Sequence, residues 1–453
     1  MNVVCKFVFG AVSASLVMLP LSVSAQSLTA ALASAYTYNP ELESALLDIK
    51  SAAEDIALSE AGQRPTIGAN VDGTYNWSIT DSTTSGSAGL TAGLSYNQSL
   101  FDNYRTDANI EQARALADLS EHTMRNVEQN VLLSVVEAYM NVIRDRQLVS
   151  LRTNSVNFFT AQLQSARDRL EVGEGTRIEV AQAEARLAQG RASSQSAVTS
   201  LQTSEATYQR FVGSWPQSLS SSHGYAAMIP SSIDSAIAEA EVNHPAILSA
   251  KAAIRVSQAG SDAAEAAFGP SLDLNGNVGT GVNLGGQQDG FQGVSGSVRL
   301  SLSVPIYAGG ALGAGVRKAN IEQIRSEVDA MSAYDQVREA VIASWSGVQN
   351  ADAQIQSAGA AVSAGQQVLD GVIQERDLGA STMLDVLNAQ AELVTAQEGQ
   401  ITASTSKVIA TFSLLSAMGR LNARDLGLPV EIKSAEGYTQ QVEDVWQELR
   451  TLE

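Results

Sequence analysis

The residue types that most often carry chemistry are sparse in this chain and poorly spaced for it. Its three histidines are His122, His223 and His244. They fall on a helical stretch, a Ser-rich linker and a helix-starting His-Pro pair, with no metal-ligand spacing. The glycine-rich run from Gly309 to Gly315 lacks the Lys-Ser/Thr of a phosphate loop and reads instead as a loosened strand-to-helix joint. No nucleophile has a base in a pattern that would activate it. An enzyme, a cofactor and a metal are therefore not expected. What stands out is a pair of carboxylates, Glu179 and Asp385, each in the first turn of a helix. The helix dipole and capping favour an acid there without any further role. The same charges would line a pore if several copies converged.

One arrangement, used twice, positions these acids. Gly173 suits the left-handed conformation that ends a helix, and Thr176 with Glu179 forms a capping pair for the next one. Gly379 repeats the stop, and Thr382 with Asp385 repeats the start, 206 residues later. Ala183 and Leu187 recur at the same interval as Ala389 and Leu393. The turns themselves are Val172, Gly173, Glu174, Gly175, Thr176 and Arg177, then Leu378, Gly379, Ala380, Ser381 and Thr382. Cap chemistry alone explains the two glycines. Arg177 reads as a solvated charge or as the partner of a neighbouring helix.

The net charge is −20, with no basic stripe, which excludes nucleic acid as a partner. Aromatics are only 5% of the chain, and Ala, Gln, Ser and Glu dominate long stretches, as in closely packed helices. Residues 1–25 carry one charge, Lys6, then an apolar run ending in Val23-Ser24-Ala25: a secretory signal peptide cleaved after Ala25, rather than a first transmembrane helix. The only cysteine, Cys5, lies inside it, so the mature chain is expected to have no disulfide and no lipidated N-terminus. Beyond it no apolar run of about 18 residues offers a membrane helix. Any span must be built from strands.

The repeats divide the chain into residues 26–213 and 233–419, with a linker at 214–232 and a C-terminal linker and polar helix at 420–453, around Val442, Val445 and Leu449. Asn39-Pro40 and His244-Pro245 start matching helices. Period-two alternation marks strands at 66–80, 88–101, 271–284 and 292–307, with turns at 81–87 and 285–290. Ile67, Val71, Tyr75 and Trp77 share one face of the first strand, while Asn70, Asp72 and Asn76 share the other. Arg299 stands on the polar face of the fourth, in a lumen or at a rim. Each strand pair feeds a proline-free helix of about 70 residues, roughly 100 Å at 1.5 Å per residue. The helical hairpins have tips near 172–178 and 378–384.

Two-faced strands fit a soluble sandwich or a membrane barrel with lipid outside and water within. The barrel is favoured because each strand joins a long helix directly, leaving nothing to cover a second apolar face, and because the polar faces carry small side chains. Four strands cannot close a barrel, for which roughly eight are needed, and lipid does not tolerate open edges. The chain must oligomerise: a dimer would close eight strands over a filled interior, a trimer twelve around a channel.

The signal peptide, then Asn39-Pro40-Glu41-Leu42, the strand pair, the long helix and Gly-turn-helix, and that unit a second time, resemble the TolC-like outer-membrane efflux proteins. Val304-Pro305-Ile306-Tyr307-Ala308-Gly309-Gly310 is similar to the family's Pro-aromatic-x-Gly-Gly after the fourth strand. Leu378-Gly379 through Asp385 to Ala389 is similar to its hairpin-tip signature. The resemblance implies a mixed α and transmembrane-β fold: a homotrimer with a twelve-stranded barrel in outer-membrane lipid and an α-helical barrel through the periplasm. It implies that the tips, Val172 to Arg177 and Leu378 to Thr382, dock a periplasmic adaptor joined to an inner-membrane transporter, for drugs or secreted polypeptides. It places Asp385 in a cation-binding aperture, with Asn388 where a second acid would be and Glu179 as the weaker acid of the mouth. Absence of a lipid-anchoring Cys leans toward the branch used in type I secretion and multidrug efflux. A soluble periplasmic coiled-coil scaffold and an uptake porin are the competing readings.

Overall fold

The computed structural model describes residues 26–81, 83–221, 224–284 and 289–443. The signal-peptide reading, His223, most of the 285–290 turn, and Val445 with Leu449 lie outside the described residues.

Each repeat has the same order. In the first, α1 (Leu28–Tyr38) and α2 (Pro40–Ala61) precede β1 (Thr66–Thr80) and β2 (Thr83–Phe101), and α3 (Arg105–Glu171) with α4 (Arg177–Val212) form the hairpin. In the second, α5 (Ile233–Asn243), α6 (Pro245–Ala266), β3 (Ser271–Leu284), β4 (Gly290–Ser303), α7 (Ala311–Asp377) and α8 (Met383–Ala417) follow suit. A short helix, α9 (Glu436–Glu443), ends the described chain. Both α3 and α7 have 67 residues, so each runs about 100 Å. The helix starts follow from local chemistry. Asn39 and His244 cap α2 and α6 through side chains that accept from the amides two residues on, and Pro40 and Pro245 sit where an N–H would be unpaired.

The four strands form one antiparallel sheet in chain order, so β1 and β4 are open edges. Its register puts Ile67 beside Tyr96, Leu94 beside Val278 and Leu274 beside Leu300 on one face. Asn97, Asn275 and Arg299 line up across the other. Both faces of β1 are exposed along its whole length. Among the described residues no helix is long and apolar enough to cross a membrane.

Two local expectations are corrected. The turn over 81–87 is far tighter: Thr80 pairs with Thr83, and β2 begins there rather than at 88. A Thr- and Ser-rich run suggests a loop by polarity, yet β-branched residues fit an extended ladder. The fourth strand begins at Gly290 and ends at Ser303, not 307. Pro305 has no N–H to continue the ladder, so Val304 and Ile306 keep the alternation without the pairing, and Ile306 is 96% exposed. At the joint after it the backbone turns a left-handed corner. Gly309 and Gly310 hold φ of 63° and 85°, and Asn103 and Tyr104, 206 positions earlier, hold 58° and 68°. The first repeat thus makes the same left-handed corner with Asn103, which tolerates it, and Tyr104, which does not, while Asn103 Nδ2 donates to the Ala266 carbonyl at 3.1 Å.

The main core lies midway along the rods, where Leu32, Tyr36, Leu132, Val135, Tyr139, Tyr208, Phe412 and Leu421 pack together. The linker after α4 holds a short 3-10 turn (Tyr225–Met228) and is tied in through Tyr139, whose Oη lies 2.7 Å from the carbonyl oxygens of Gln26 and Ser220. The segment after α8 is tied in by the Ala423 amide, which donates to the buried Glu128 carboxylate at 2.7 Å, and the Lys433 amide, which donates to Tyr36 Oη at 2.9 Å. Burial raises the Glu128 pKa above the ordinary glutamate value, against that hydrogen bond.

Candidate functional site: the paired hairpin tips

The two turns are built alike. In the first, the Glu174 and Gly175 amides donate to the Arg169 carbonyl at 2.9 and 3.0 Å, and Gly173 has φ of 79°. In the second, Gly379 again has φ of 79°, and the Ala380 and Ser381 amides donate to the Glu375 carbonyl at 2.8 and 3.3 Å. Ser381 Oγ adds a bond to Glu375 Oε2 at 2.7 Å. These bonds satisfy carbonyls that each helix end leaves open, and the positive φ makes glycine the residue of choice.

Both following helices begin with a capping box. The Thr176 amide donates to Glu179 Oε2 at 2.8 Å, and the Glu179 amide donates to Thr176 Oγ1 at 3.2 Å. The Thr382 amide donates to Asp385 Oδ2 at 2.9 Å, its hydroxyl donates to the same oxygen at 2.6 Å, and the Asp385 amide donates back at 3.3 Å. The bond from the Thr382 hydroxyl, then that from its amide, holds the exposed Asp385 carboxyl below the usual aspartate pKa. Asp385 is therefore an acid that is hard to neutralise.

The fold brings the turns side by side. Phe159, Leu163 and Ala166 of α3, Ala183 and Leu187 of α4, and Met383 and Leu387 of α8 form one buried cluster just behind them. A second cluster joins Val386, Ala389 and Leu393 to Leu369 of α7. Val172 and Leu378 project outward, 72% and 86% exposed, and Arg177 is exposed with Glu174 and Thr176. Asn388 is not free: its Oδ1 accepts from Arg186 Nη2 of α4 at 2.6 Å. Arg299 is at the other end of the molecule, in β4 opposite Asn275, a rod length from the tips.

Sequence reasoning missed Arg186, and also Ile178 and Leu384, which add apolar surface to the turns. It missed the cross-hairpin pairs Arg376–Gln162 at 2.8 Å and Arg152–Glu398 at 2.5 Å. Ile178 was findable, as an apolar residue directly after a capping Thr and Arg. The arginine pairs bridge residues more than 200 apart and had no local signal.

Strand pairs running into rod-length helical hairpins, twice in one chain, with apposed capped tips, define a duplicated sheet-and-hairpin protein. The profile of the family described as outer membrane efflux protein matches residues 31–214 and 236–420, once in each repeat. The outer membrane efflux protein BepC of Brucella suis biovar 1 is 37% identical over 433 residues, spanning 94% of this chain and 92% of that one. The outer membrane protein TolC of Escherichia coli K12 is 25% identical over 400 residues, spanning 86% and 81%. The fold is also that of the CmeC outer membrane channel of Campylobacter jejuni, at a TM-score of 0.75 and 16% identity over 93% of this chain and 90% of that one. The chain belongs to the outer membrane efflux protein family, as Asn39-Pro40, the Pro305-to-Gly310 motif and the Gly379-to-Ala389 tip suggested.

Proposed function

We propose that three copies of this chain form an exit duct, with a twelve-stranded barrel in the outer membrane and a helical tunnel reaching through the periplasm. The observation that carries this reading is the sheet: four strands with two open edges, one apolar and one polar face, and no second layer packed on it among the described residues. In lipid that sheet is tolerable only if edge β4 of one copy meets edge β1 of the next. Three copies leave a wet lumen lined by small polar side chains, with Arg299 facing it.

The signal sequence at 1–25 directs export, residues 26–213 and 233–419 act as two equivalent staves, and the linkers at 214–232 and after 419 belt them together. Six tips per trimer then meet at the periplasmic mouth. There Val172, Gly173, Glu174, Gly175, Thr176, Arg177, Leu378, Gly379, Ala380, Ser381 and Thr382 present docking surface to a periplasmic adaptor and, through it, an inner-membrane transporter. Asp385, with Glu179 and Asn388, lines the aperture. The duct is passive; the transporter supplies the energy. Cargo of the drug or secreted-polypeptide class fits such a path.

Purified full-length protein is expected to run as a trimer in detergent, show a heat-modifiable β signal, and give discrete conductances in planar bilayers. A monomer without conductance would sink the reading. Release with the periplasmic fraction would favour a scaffold instead, and solute entry independent of any adaptor would favour an uptake porin.

A further inference from the structure

Arg186 differs from Arg167 and Arg152, two nearby arginines that carboxylates neutralise. Arg167 is neutralised by Glu184 at 2.6 Å and Arg152 by Glu398 at 2.5 Å. Arg186 is half-buried, and among the described residues it forms no ion pair. Its guanidinium is held by two neutral amides, Asn388 Oδ1 at 2.6 Å from Nη2 and Gln189 Oε1 at 3.4 Å from Nη1. Arginine stays protonated at any ordinary pH, so this is a fixed, uncompensated positive charge.

Its position gives that charge a consequence. Asn388 lies three residues after Asp385 on α8, hence on the same face and one turn further from the tip. The fork of Arg186 reaches across from α4 to that turn. Asp385 keeps its negative charge, since its cap bonds lower its pKa.

The geometry points to Arg186 as a selectivity-determining residue of the duct: anchored on Asn388, it sets a positive ring one helical turn inward of the Asp385 ring. This rests on the trimeric-duct reading. A mouth lined by Asp385 and Glu179 without Arg186 would favour cations; a positive ring behind the acids admits anionic and zwitterionic solutes as well. The cargo class that fits is one carrying carboxylate, phosphate or sulfonate groups as readily as amines.

The test is the reversal potential of the full-length protein in planar bilayers under a KCl gradient. Arg186→Gln is expected to raise the potassium-to-chloride permeability ratio at least about twofold, the effect of one charge at roughly 8 Å in water. Asn388→Asp, which neutralises Arg186 in place, should shift it the same way, and Asp385→Asn the opposite way. Arg186→Lys keeps the charge but loses the fork, and should stay near wild type. The differences should shrink near 1 M salt, where the screening length is about 3 Å. Unchanged ratios in Arg186→Gln and Asn388→Asp, or an Arg186→Lys shift as large as that of Arg186→Gln, would overturn the assignment while leaving the duct intact. No conductance from wild-type protein would instead remove the duct and this inference with it.

Discussion

Asp385 and Glu179 occupy equivalent places, yet the shorter aspartate is bound more completely into its cap. Its Oδ2 takes both the amide and the hydroxyl of Thr382, whereas Glu179 takes the Thr176 amide through a longer side chain. The folded-state pKa of Asp385 is depressed, so its charge is present above that lowered pKa and is lost only as pH falls through it. In the proposed duct, block by multivalent cations at Asp385 should therefore persist below the pH at which an ordinary aspartate protonates. Thr382→Ala removes the hydroxyl bond and should move the loss of block to higher pH, read from conductance against pH in planar bilayers. Asp385→Ala should change block more than Glu179→Ala; equal behaviour of both with wild type would refute the assignment. At Gly173 and Gly379 a new Cβ would meet nothing within 4 Å, so substitution meets only the left-handed backbone. Gly379→Ala is thus expected to cost about 1–2 kcal/mol in denaturant titrations. Gly379→Trp should leave trimers assembled but impair export, because its bulk enters the docking surface.

At the scale of elements, the tips stay apposed because α8 packs its first two turns into the first hairpin. Met383 and Leu387 are fully buried against Leu163, Ala166, Ala183 and Leu187. Leu387→Ala should cost about 2–5 kcal/mol and splay the turns, which limited proteolysis near 172–176 would detect as faster cleavage. These helices were legible in the sequence because their signals are local: Gly173 and Gly379 as stops, Thr176 and Thr382 as caps, Asn39-Pro40 and His244-Pro245 as starts. The β1 alternation was equally plain. The end of β4 was misplaced because Val304 and Ile306 continue the apolar pattern past a proline that removes the hydrogen bond. The corner at Asn103 and Tyr104 was missed, since Asn103 signals positive φ only weakly beside Gly309 and Gly310 and Tyr104 not at all. The Phe101 ring, edge-on to Tyr104 at 5.9 Å, shows one contact that the strained tyrosine gains. Arg186 could not be assigned a role without knowing that α4 and α8 are neighbours.

For the whole molecule, the assembly question turns on α7. Ile321, Ile324, Val328 and Met331 recur at spacings of three and four, forming one stripe along its upper half, and each is 58–68% exposed. The equivalent stretch of α3, 206 residues earlier, is covered by α6, to which Asp118 is joined by an ion pair with Arg255 at 2.8 Å, whereas the α7 stripe has no such cover among the described residues. On α2 of the first repeat, Leu47 and Leu58 are likewise uncovered. Both α2 and α7 join the sheet, α2 leading into edge strand β1 and α7 leading out of edge strand β4. When β4 of one copy meets β1 of the next, the α7 stripe of the first copy is carried to α2 of the second at a similar height below the sheet. Strand pairing and helix pairing then close the same interface. Val328→Glu together with Met331→Glu should accordingly prevent trimer formation while leaving the helical circular dichroism of the chain in detergent nearly unchanged. Trimers persisting in the double variant, measured by native mass and crosslinking, would show that the sheet edges suffice and that the stripe faces something other than a second copy.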